Sequence, residues 1–381
     1  MLSLQEQIMK YIWQNQSWPD FTWDSSSLLS LLGQARRTQG DFLARVRRLG
    51  FKLNEEAQAN ILTEEAIKTS AIEGELLNLQ AVRSSVARHL GFPLAGSGKA
   101  PRSVDGLIEV ILDATQNYEN TLSAERLKSW HGALFPTGYS GLYKIRAGQW
   151  RGEEPMRVVS GAIGREKIHF EAPPGTAIEA EMCKFFEWWQ VSLNKMDGIL
   201  RAGIAHFYFI TIHPFEDGNG RIARVLTDMA LAQDEKLNVR YYSFSSQIME
   251  ERDSYYKVLE KCSKGESVDL TPWLIWFFEC YQRAIQRSDK IIGKVLAKAD
   301  FWNEHAQAEL NERQIKVLNR IMDTGPDDFD GGLTTRKYVS MTKASRATAF
   351  REISDMLDKK LLRQLPGKGR NAHYDIQYGK R

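Results

Sequence analysis

The sequence has few features of a secreted or membrane protein. Its 381 residues include only three cysteines, widely spaced and in no CxxC pair, so a disulfide framework is not expected. No window approaches the ~20 apolar residues that a membrane helix needs. The first residues also lack a basic stretch followed by an apolar one, the pattern of a signal peptide. These absences predict a cytoplasmic protein without membrane contact.

Net charge is also small, +3 over the whole chain, which gives no global argument for nucleic-acid binding. The charge is uneven, however, because residues 305–381 hold 15 Lys and Arg against 10 Asp and Glu. A nucleic-acid interaction would therefore have to be local to this segment. Apolar residues make up 43% and charged residues 26% of the chain, which is ordinary for a globular protein with more than one core.

Helical periodicity dominates, and the length suggests two or three domains. We predict a mainly all-α protein with an N-terminal helical domain over 1–95, a central helical domain over 104–290, and a third domain over 305–381. The last segment reads as helix, helix and hairpin, the order of a winged helix. Within the central domain, two short apolar runs around a Gly-containing turn over 156–174 predict a β-hairpin.

The stretch HPFEDGNGRIAR, residues 213–224, has the residue types of a phosphate site. Pro214 should end the helix before it. Gly218 and Gly220 allow a tight bend and a close backbone approach to a ligand. A helix that restarts near Asn219 would present free N–H groups and a positive dipole end to an anion.

Side chains in the same stretch suit a polyphosphate. Arg221 and Arg224 are three residues apart and share a helix face, so two guanidinium groups can face one ligand. Asp217 is a suitable Mg²⁺ ligand, because Mg²⁺ usually combines one or two carboxylates with phosphate oxygens. His213 can take a proton from an attacking hydroxyl.

This stretch resembles the Fic family signature HxFx(D/E)GNGRxxR at all eight of its defined positions. The matching residues are His213, Phe215, Asp217, Gly218, Asn219, Gly220, Arg221 and Arg224. The resemblance implies a protein adenylyltransferase that moves AMP from ATP to a Ser, Thr or Tyr hydroxyl of a target protein or of itself. It also implies a Fic-type helical core with a β-hairpin flap. Proteins with this arrangement of domains often form homodimers, so a homodimer is expected.

The resemblance implies specific roles. His213 would be the general base, Phe215 a core anchor and Asp217 the Mg²⁺ ligand. Arg221 would hold the β-phosphate and Arg224 the γ-phosphate. The remaining ATP-binding residues of the loop would be Gly218, Asn219, Gly220, Ile222 and Ala223, the first three of them at the α- and β-phosphates.

Two further segments resemble parts of the family's site. The predicted hairpin matches the flap that holds a target peptide by strand addition, and its matching residues beside the ATP site are Val158, Val159, Ser160 and Gly161. An ordinary structural hairpin is the alternative. Tyr255 matches a residue on the adenine side of the nucleotide, with helix packing as the alternative.

TSAIEG, Thr69 to Gly74, resembles the family's inhibitory pattern (S/T)xxxE(G/N). A carboxylate on Glu73 that reached Arg224 would form a charge-assisted pair. It would withdraw Arg224 from the γ-phosphate and place negative charge in the ATP site. The resemblance implies that Glu73 can also position water for removal of AMP. The alternative is a glutamate at a helix end.

Other functions remain open from the sequence. A predicted helix of about 343–359 could recognise DNA, which would make the chain a DNA-binding regulator. Relatives of this family can use nucleotide-linked donors other than ATP. His206 shares a helix face with His213 and could suggest a metal pair, although a hydrogen-bonded core histidine is the simpler interpretation.

Overall fold

The computed structural model of the chain describes residues 11–47, 51–92, 100–160, 167–265, 267–324, 332–366 and 372–378. Over these residues helices predominate, and every β-sheet is a two-stranded hairpin. The expectation of a mainly α-helical protein with small hairpins is therefore confirmed. None of the helices described is both long enough and apolar enough to cross a membrane.

The chain forms two compact units, residues 1–288 and 289–381. The helices of the first unit are α1 (Ser25–Val46), α2 (Phe51–Ile72), α3 (Leu79–His89), α4 (Arg102–Gln116), α5 (Ala124–Leu134), α6 (Ile178–Ser192), α7 (Gly198–Ile212), α8 (Asn219–Glu235), α9 (Phe244–Glu250) and α10 (Arg252–Ser263). Helix α11 (Thr271–Glu304) contains the boundary between the units. The first unit includes the segment 1–95 and nearly all of the segment 104–290, and their division into two domains stays a prediction.

Two antiparallel hairpins interrupt the helices of this unit. Strands β1 (Tyr139–Ser140) and β2 (Tyr143–Lys144) form the first, and β3 (Arg157–Ser160) and β4 (Lys167–Glu171) form the second. The second lies within the segment 156–174 where the sequence predicted a hairpin. Its register shifts between Val158 and Val159.

Helix α7 is the centre of the first unit. The Asp197 side chain begins this helix by accepting hydrogen bonds from the backbone N–H groups of Ile199 and Leu200. From there to Ile212 almost every side chain is buried, as expected of a helix that is apolar all round. Helix α8 packs along it. The loop between these two helices is therefore supported from the core.

The N-terminal segment packs on the same core. Trp13 donates its indole N–H to the Glu171 carbonyl at 2.7 Å, and Trp18 donates to the Glu181 carboxylate at 2.6 Å. The Trp18 ring lies edge-on to Tyr208, with centroids 5.2 Å apart. These contacts join the start of the described chain to β4, α6 and α7.

The second unit contains α12 (Glu312–Thr324), α13 (Thr335–Thr342), α14 (Arg346–Asp358), β5 (Leu362–Gln364) and β6 (Tyr374–Ile376). Its core includes Val317, Leu318, Tyr338, Ile353 and Leu362. The helix predicted over 343–359 begins later, at Arg346, because Lys343 adopts a left-handed φ of 58° that ends α13. Ser345 then caps α14. Helix α13 was not predicted from the sequence.

Candidate active site

The stretch 213–224 forms the turn between α7 and α8. Helix α7 ends at Ile212, and His213 follows in the left-handed region with φ 52°. Gly218, with φ 78°, precedes the first turn of α8. A Cβ at Gly218 would lie 2.8 Å from the Phe135 ring, so both the conformation and the space require glycine here.

The loop is fixed to the core by its own residues. Phe215 is fully buried and stacks on the His131 ring, with centroids 4.1 Å apart. The Asn219 side chain donates to the Phe215 carbonyl at 2.8 Å and accepts from its N–H at 3.0 Å. The Asn219 amide therefore closes the loop, which leaves the backbone of α8's first turn to face a ligand.

His131, on α5, contacts the loop through Phe215 and Asp217. It was not predicted from the sequence. Its Nδ1 accepts from the Gly148 N–H at 2.9 Å, so the proton lies on Nε2, which donates to the Asp217 carbonyl at 3.1 Å. Burial lowers the pKa of His131 to about 4. The ring is thus neutral, and it links the Gly148 N–H to the Asp217 carbonyl. No local pattern in the sequence identifies it.

Asp217 is partly exposed at the outer edge of the loop. Its Oδ2 accepts from the Ser140 hydroxyl and its Oδ1 from the Gly218 N–H at 2.5 Å. Over the described residues, no group of three or more His, Cys, Asp or Glu is placed to hold a metal ion. A cation at Asp217 would therefore need further ligands from a bound substrate, which is how Mg²⁺ usually binds phosphates.

His213 has one ring nitrogen occupied and one available. Nδ1 lies 3.0 Å from the Ile210 carbonyl, which can only accept, so Nδ1 carries the proton. Nε2 is left as an acceptor. Burial lowers the pKa of His213 and the charge of Arg151 lowers it further, while the Ile210 hydrogen bond opposes both. A neutral His213 with a free Nε2 can accept a proton at neutral pH.

Arg224 is almost fully buried and is held by α2 and the residues just after it. Its Nε donates to the Thr69 hydroxyl at 2.7 Å, and its Nη2 donates to the Thr69 carbonyl at 2.9 Å and to Glu73 Oε1 at 2.7 Å. Burial is the largest single influence and lowers the pKa of Arg224, but the Glu73 carboxylate together with Tyr255 and Tyr256 raises that pKa above its ordinary value. Gly74, with φ 85°, turns the chain away immediately afterwards.

The Glu73 carboxylate lies against the first turn of α8. A Cβ built on Gly220 would stand 2.2 Å from Glu73 Oε1. The carboxylate therefore occupies the position at this helix N-terminus where an anion would bind. The predicted inhibitory residues Thr69, Glu73 and Gly74 and the predicted phosphate residue Arg224 are brought together in one cluster.

Arg221 has a separate set of contacts. Its Nη1 lies 3.2 Å from Glu75 Oε2, and its guanidinium lies over the Phe135 ring, 4.8 Å from the centroid. Sequence reasoning did not single out Glu75, although it lies two residues beyond Glu73. In this arrangement each arginine of the motif is paired with a carboxylate from the segment after α2.

The β3–β4 hairpin presents a partly exposed strand near α10. Val158 and Val159 are 37% and 48% exposed. His169 Nδ1 lies 2.7 Å from the Glu260 carboxylate, which attaches the hairpin to α10. Of the predicted flap residues, Ser160 is described only in its backbone and Gly161 lies outside the described residues.

Three residues predicted for the ATP site have buried side chains. Ile222 and Ala223 are fully buried, so only their backbone can face a ligand. Tyr255 is 1% exposed, and its hydroxyl lies 2.8 Å from His206 Nε2. This placement favours helix packing for Tyr255. Its neighbour Tyr256, at 38% exposure, is the more accessible ring.

His206 is a hydrogen-bonded core residue. Its Nδ1 lies 2.9 Å from the Thr227 hydroxyl, and its Nε2 contacts Tyr255. Burial lowers its pKa to about 3. Both ring nitrogens are used, so the interpretation as a metal pair with His213 is wrong.

These elements define a helical domain in which a glycine-containing turn joins two central helices, α7 and α8. Residues 121–231 match the Fic/DOC family, and residues 11–92 match a domain of unknown function, DUF4172. The chain therefore contains a Fic domain, as its motif predicted.

Relatives and solved structures agree with this assignment. The chain is 35% identical to protein adenylyltransferase fic-1 of Caenorhabditis briggsae over 256 residues, which is 66% of this chain and 46% of that protein. It is 30% identical to a probable protein adenylyltransferase of Aquifex aeolicus over 126 residues, 32% of this chain and 38% of that one. The chain thus spans less than half the length of these curated relatives.

A Fic family protein of Desulfovibrio desulfuricans superposes with a TM-score of 0.53 at 17% identity, covering 94% of this chain and 99% of that one. A Fic domain signalling protein of Bacteroides thetaiotaomicron gives 0.53 at 18% identity, covering 68% and 97%. At these identities the likeness establishes the fold alone.

Proposed function

We propose that the protein is an adenylyltransferase that moves AMP from ATP to a protein hydroxyl and is restrained by Glu73. The observation that carries the proposal is the single turn that holds His213, Asp217 and the N-terminus of α8 together. A base, a cation ligand and an anion site are what in-line transfer from a nucleoside triphosphate requires.

The proposed chemistry follows from this geometry. The hydroxyl oxygen of the target attacks the α-phosphorus of ATP, and the bond from that phosphorus to the β-bridging oxygen breaks. Nε2 of His213 takes the hydroxyl proton, and pyrophosphate leaves. Arg221 and the first turn of α8 stabilise the charge that develops on the phosphates.

Mg²⁺ is part of the proposal, with Asp217 as its protein ligand. The carboxylate is accessible, and it is oriented by Ser140 and Gly218. When bound, the ion would neutralise phosphate charge. Asp217 would hold the ion on the protein side, and phosphate oxygens and water would supply its other ligands.

The resting site is proposed to be inhibited. Glu73 occupies the α8 N-terminus and pairs with Arg224, so a γ-phosphate would have to displace one carboxylate and compete for one guanidinium. ATP that binds beside Glu73 would be turned away from in-line attack. A carboxylate in this position can also orient water toward an AMP–protein bond, and removal of AMP is a second proposed activity.

The proposal is tested with ATP labelled on the α- or the γ-phosphate. Measured against extract alone, whose own kinases transfer γ-label, the Glu73→Gly protein should add label from the α-position to protein and none from the γ-position, and His213→Ala should add neither. Label from the γ-position would indicate a kinase and reject the proposal. Adding unlabelled CTP, GTP or UTP in excess tests other donors, and only unlabelled ATP should compete.

AMP removal has its own test. Protein that carries AMP is incubated with the wild type and with Glu73→Gly, and free AMP is measured. Release by the wild type alone is the expected result. Equal release by both would show that Glu73 does not position the water.

DNA binding by the second unit is a second candidate function, favoured by one observation. Residues 332–351 contain five cations and no carboxylate: Arg336, Lys337, Lys343, Arg346 and Arg351. Of the acid groups that follow on α14, Glu352 is buried against Arg313 and Tyr338, whereas Asp355 is partly exposed and Asp358 is exposed. The segment from α13 to the start of α14 therefore carries a local excess of positive charge that could contact a nucleic-acid backbone.

This candidate is tested by fluorescence anisotropy of a labelled 30-base-pair duplex at several salt concentrations. Arg346→Gln with Arg351→Gln should weaken binding and lower the salt slope by about two. Lys316→Gln, an exposed cation on α12, is the control. No binding at low salt, or an unchanged slope, would reject DNA as the partner.

A homodimer and a cytoplasmic location complete the proposal, and both rest on the sequence resemblance and composition. Analytical ultracentrifugation would test the first. Fractionation of cells that produce the protein would test the second.

A further inference from the structure

Arg151 is a buried arginine directly behind the general base. The residue lies in the segment after β2 and is 4% exposed. Its Nε donates to the His213 carbonyl at 2.8 Å, and its backbone N–H donates to the Pro214 carbonyl at 2.9 Å. Two successive peptides of the turn are therefore held by one residue.

The same guanidinium reaches the second hairpin. Its Nη2 donates to the carbonyl of Pro173, two residues after β4 ends. Arg151 thus joins the end of the proposed flap to the backbone of the proposed base.

The charge of Arg151 is not neutralised locally. Within the part of the chain that the structure describes, Nε and Nη2 donate to carbonyl oxygens, and Nη1 has no hydrogen-bond partner. Burial lowers the pKa of Arg151 to about 10. A buried cation without a carboxylate partner is costly to fold, which points to a use other than stability.

We propose that Arg151 is a positioning residue for AMP transfer: it fixes the left-handed His213 peptide and couples it to the flap. The inference rests on the proposed function. A non-glycine residue at φ 52° is strained, so the turn needs outside support to keep Nε2 aimed at the target hydroxyl. Arg151 supplies that support through the carbonyl.

The same cation also acts on the base electrostatically. The charged groups that act on His213 are Arg151, which lowers its pKa, and Glu73 and Asp217, which raise it. Removing Arg151 should therefore raise the pKa of His213 and move the acidic limb of the pH–rate profile to higher pH. A purely structural residue would reduce the amount of folded protein without moving that limb.

Arg201 offers a matched control. It is also a buried arginine whose pKa burial lowers to about 10, and its hydrogen bonds go to Ser192, Trp189 and Gln233. It lies at the start of α7, away from the turn. Arg201→Met tests the loss of a buried arginine as such.

The experiment uses the full chain with Glu73→Gly as the parent. Arg151→Met should lower kcat by about 10- to 100-fold, because small displacements of a reacting group have effects of this size, and should leave the KM for ATP within about 3-fold. Arg151→Lys keeps the charge, so it should retain the parent's acidic limb with an intermediate kcat. Arg201→Met should match the parent in kcat and in the position of the acidic limb.

NMR titration of the His213 ring in the free protein gives a readout independent of turnover. Arg151→Met should raise the measured pKa and Arg151→Lys should not. An unchanged kcat in Arg151→Met, or a lower kcat with an unchanged pKa, would overturn the proposal. If Arg151→Met does not fold, a kcat equal to the parent's in Arg151→Lys would overturn it. If the parent transfers no AMP, the proposed function fails, and the titration still decides whether Arg151 acts on His213.

Discussion

Glu75 Oε2 lies 3.2 Å from Arg221 Nη1, in parallel with the 2.7 Å contact between Glu73 and Arg224. The two pairs differ in burial: the Glu75 side chain is 46% exposed and the Glu73 side chain 31%, while both arginines are nearly buried. Solvent weakens exposed pairs. The segment after α2 therefore holds both arginines of the motif, with Glu73 as the stronger contact.

Replacing Glu73 should release the site. Glu73→Gly removes a charge-assisted hydrogen bond worth roughly 1.5–3 kcal/mol, so we expect AMP transfer to rise by about 10- to 100-fold. Incorporation of α-labelled ATP measures the change. Glu119→Gly, at an exposed position, is the control. A rate equal to the wild type would rule out the inhibitory role.

Replacing Glu75 should have a smaller effect, seen mainly in ATP binding. Exposed ion pairs contribute about 0–1 kcal/mol, so Glu75→Gln should tighten ATP binding by no more than about 5-fold. Calorimetry of ATP binding is the measurement, with Glu154→Gln as the control. Weaker binding in Glu75→Gln would show that Glu75 assists the nucleotide instead of competing with it.

The pH dependence should report His213. Its pKa lies below the ordinary value of 6.5, so the ring is neutral and active at pH 7. The rate should fall only as the pH drops below about 6.5 and His213 becomes protonated. His213→Ala should lose about 1,000-fold in rate together with this limb. Persistence of the limb in His213→Ala would assign it to another group.

Asp217→Asn should remove most of the Mg²⁺-dependent rate. We expect a loss of about 100-fold, since a metal ion contributes several kcal/mol of charge stabilisation. Chelation by EDTA should reduce the wild type to the same level. Glu216→Gln is the control, because the neighbouring carboxylate instead accepts from the Arg146 N–H at 2.9 Å. Full activity of Asp217→Asn would remove Asp217 from the cation site.

His131 should make the turn sensitive to acid. Its pKa is about 4 in the folded protein against 6.5 ordinarily, so the unfolded chain binds the proton first as the pH falls. The contribution of neutral His131 to the free energy of unfolding is fully present above pH 6.5. It declines by about 3 kcal/mol as the pH falls toward 4.

Hydrogen exchange of α8 peptides in rising urea, at pH 7 and at pH 4.5, measures this decline. The His131→Gln variant should be less stable at pH 7 and should decline less on acidification. Part of the decline should persist in the variant, because His206 is also neutral when folded. An equal decline in both proteins would exclude His131 as a source.

The sequence by itself determined the turn and the residue types that it carries. Pro214, Gly218 and Gly220 act through local backbone preferences, and the spacing of Arg221 and Arg224 follows from the helix period. Two short apolar runs around a Gly-containing turn likewise predicted the β3–β4 hairpin, and the apolar periodicity predicted a mainly helical fold. These features depend on neighbours within a few residues, so they can be recognised in the chain itself.

Only the tertiary structure decided which distant residues support the turn. His131 meets Asp217 across 86 residues, and Arg151 meets His213 across 62. It also placed Tyr255 in the core, with its hydroxyl against His206. Such contacts depend on how helices pack, and no periodicity encodes which side chain lies opposite which carbonyl. The sequence thus specified the turn between α7 and α8, while packing determined which distant residues hold it in place.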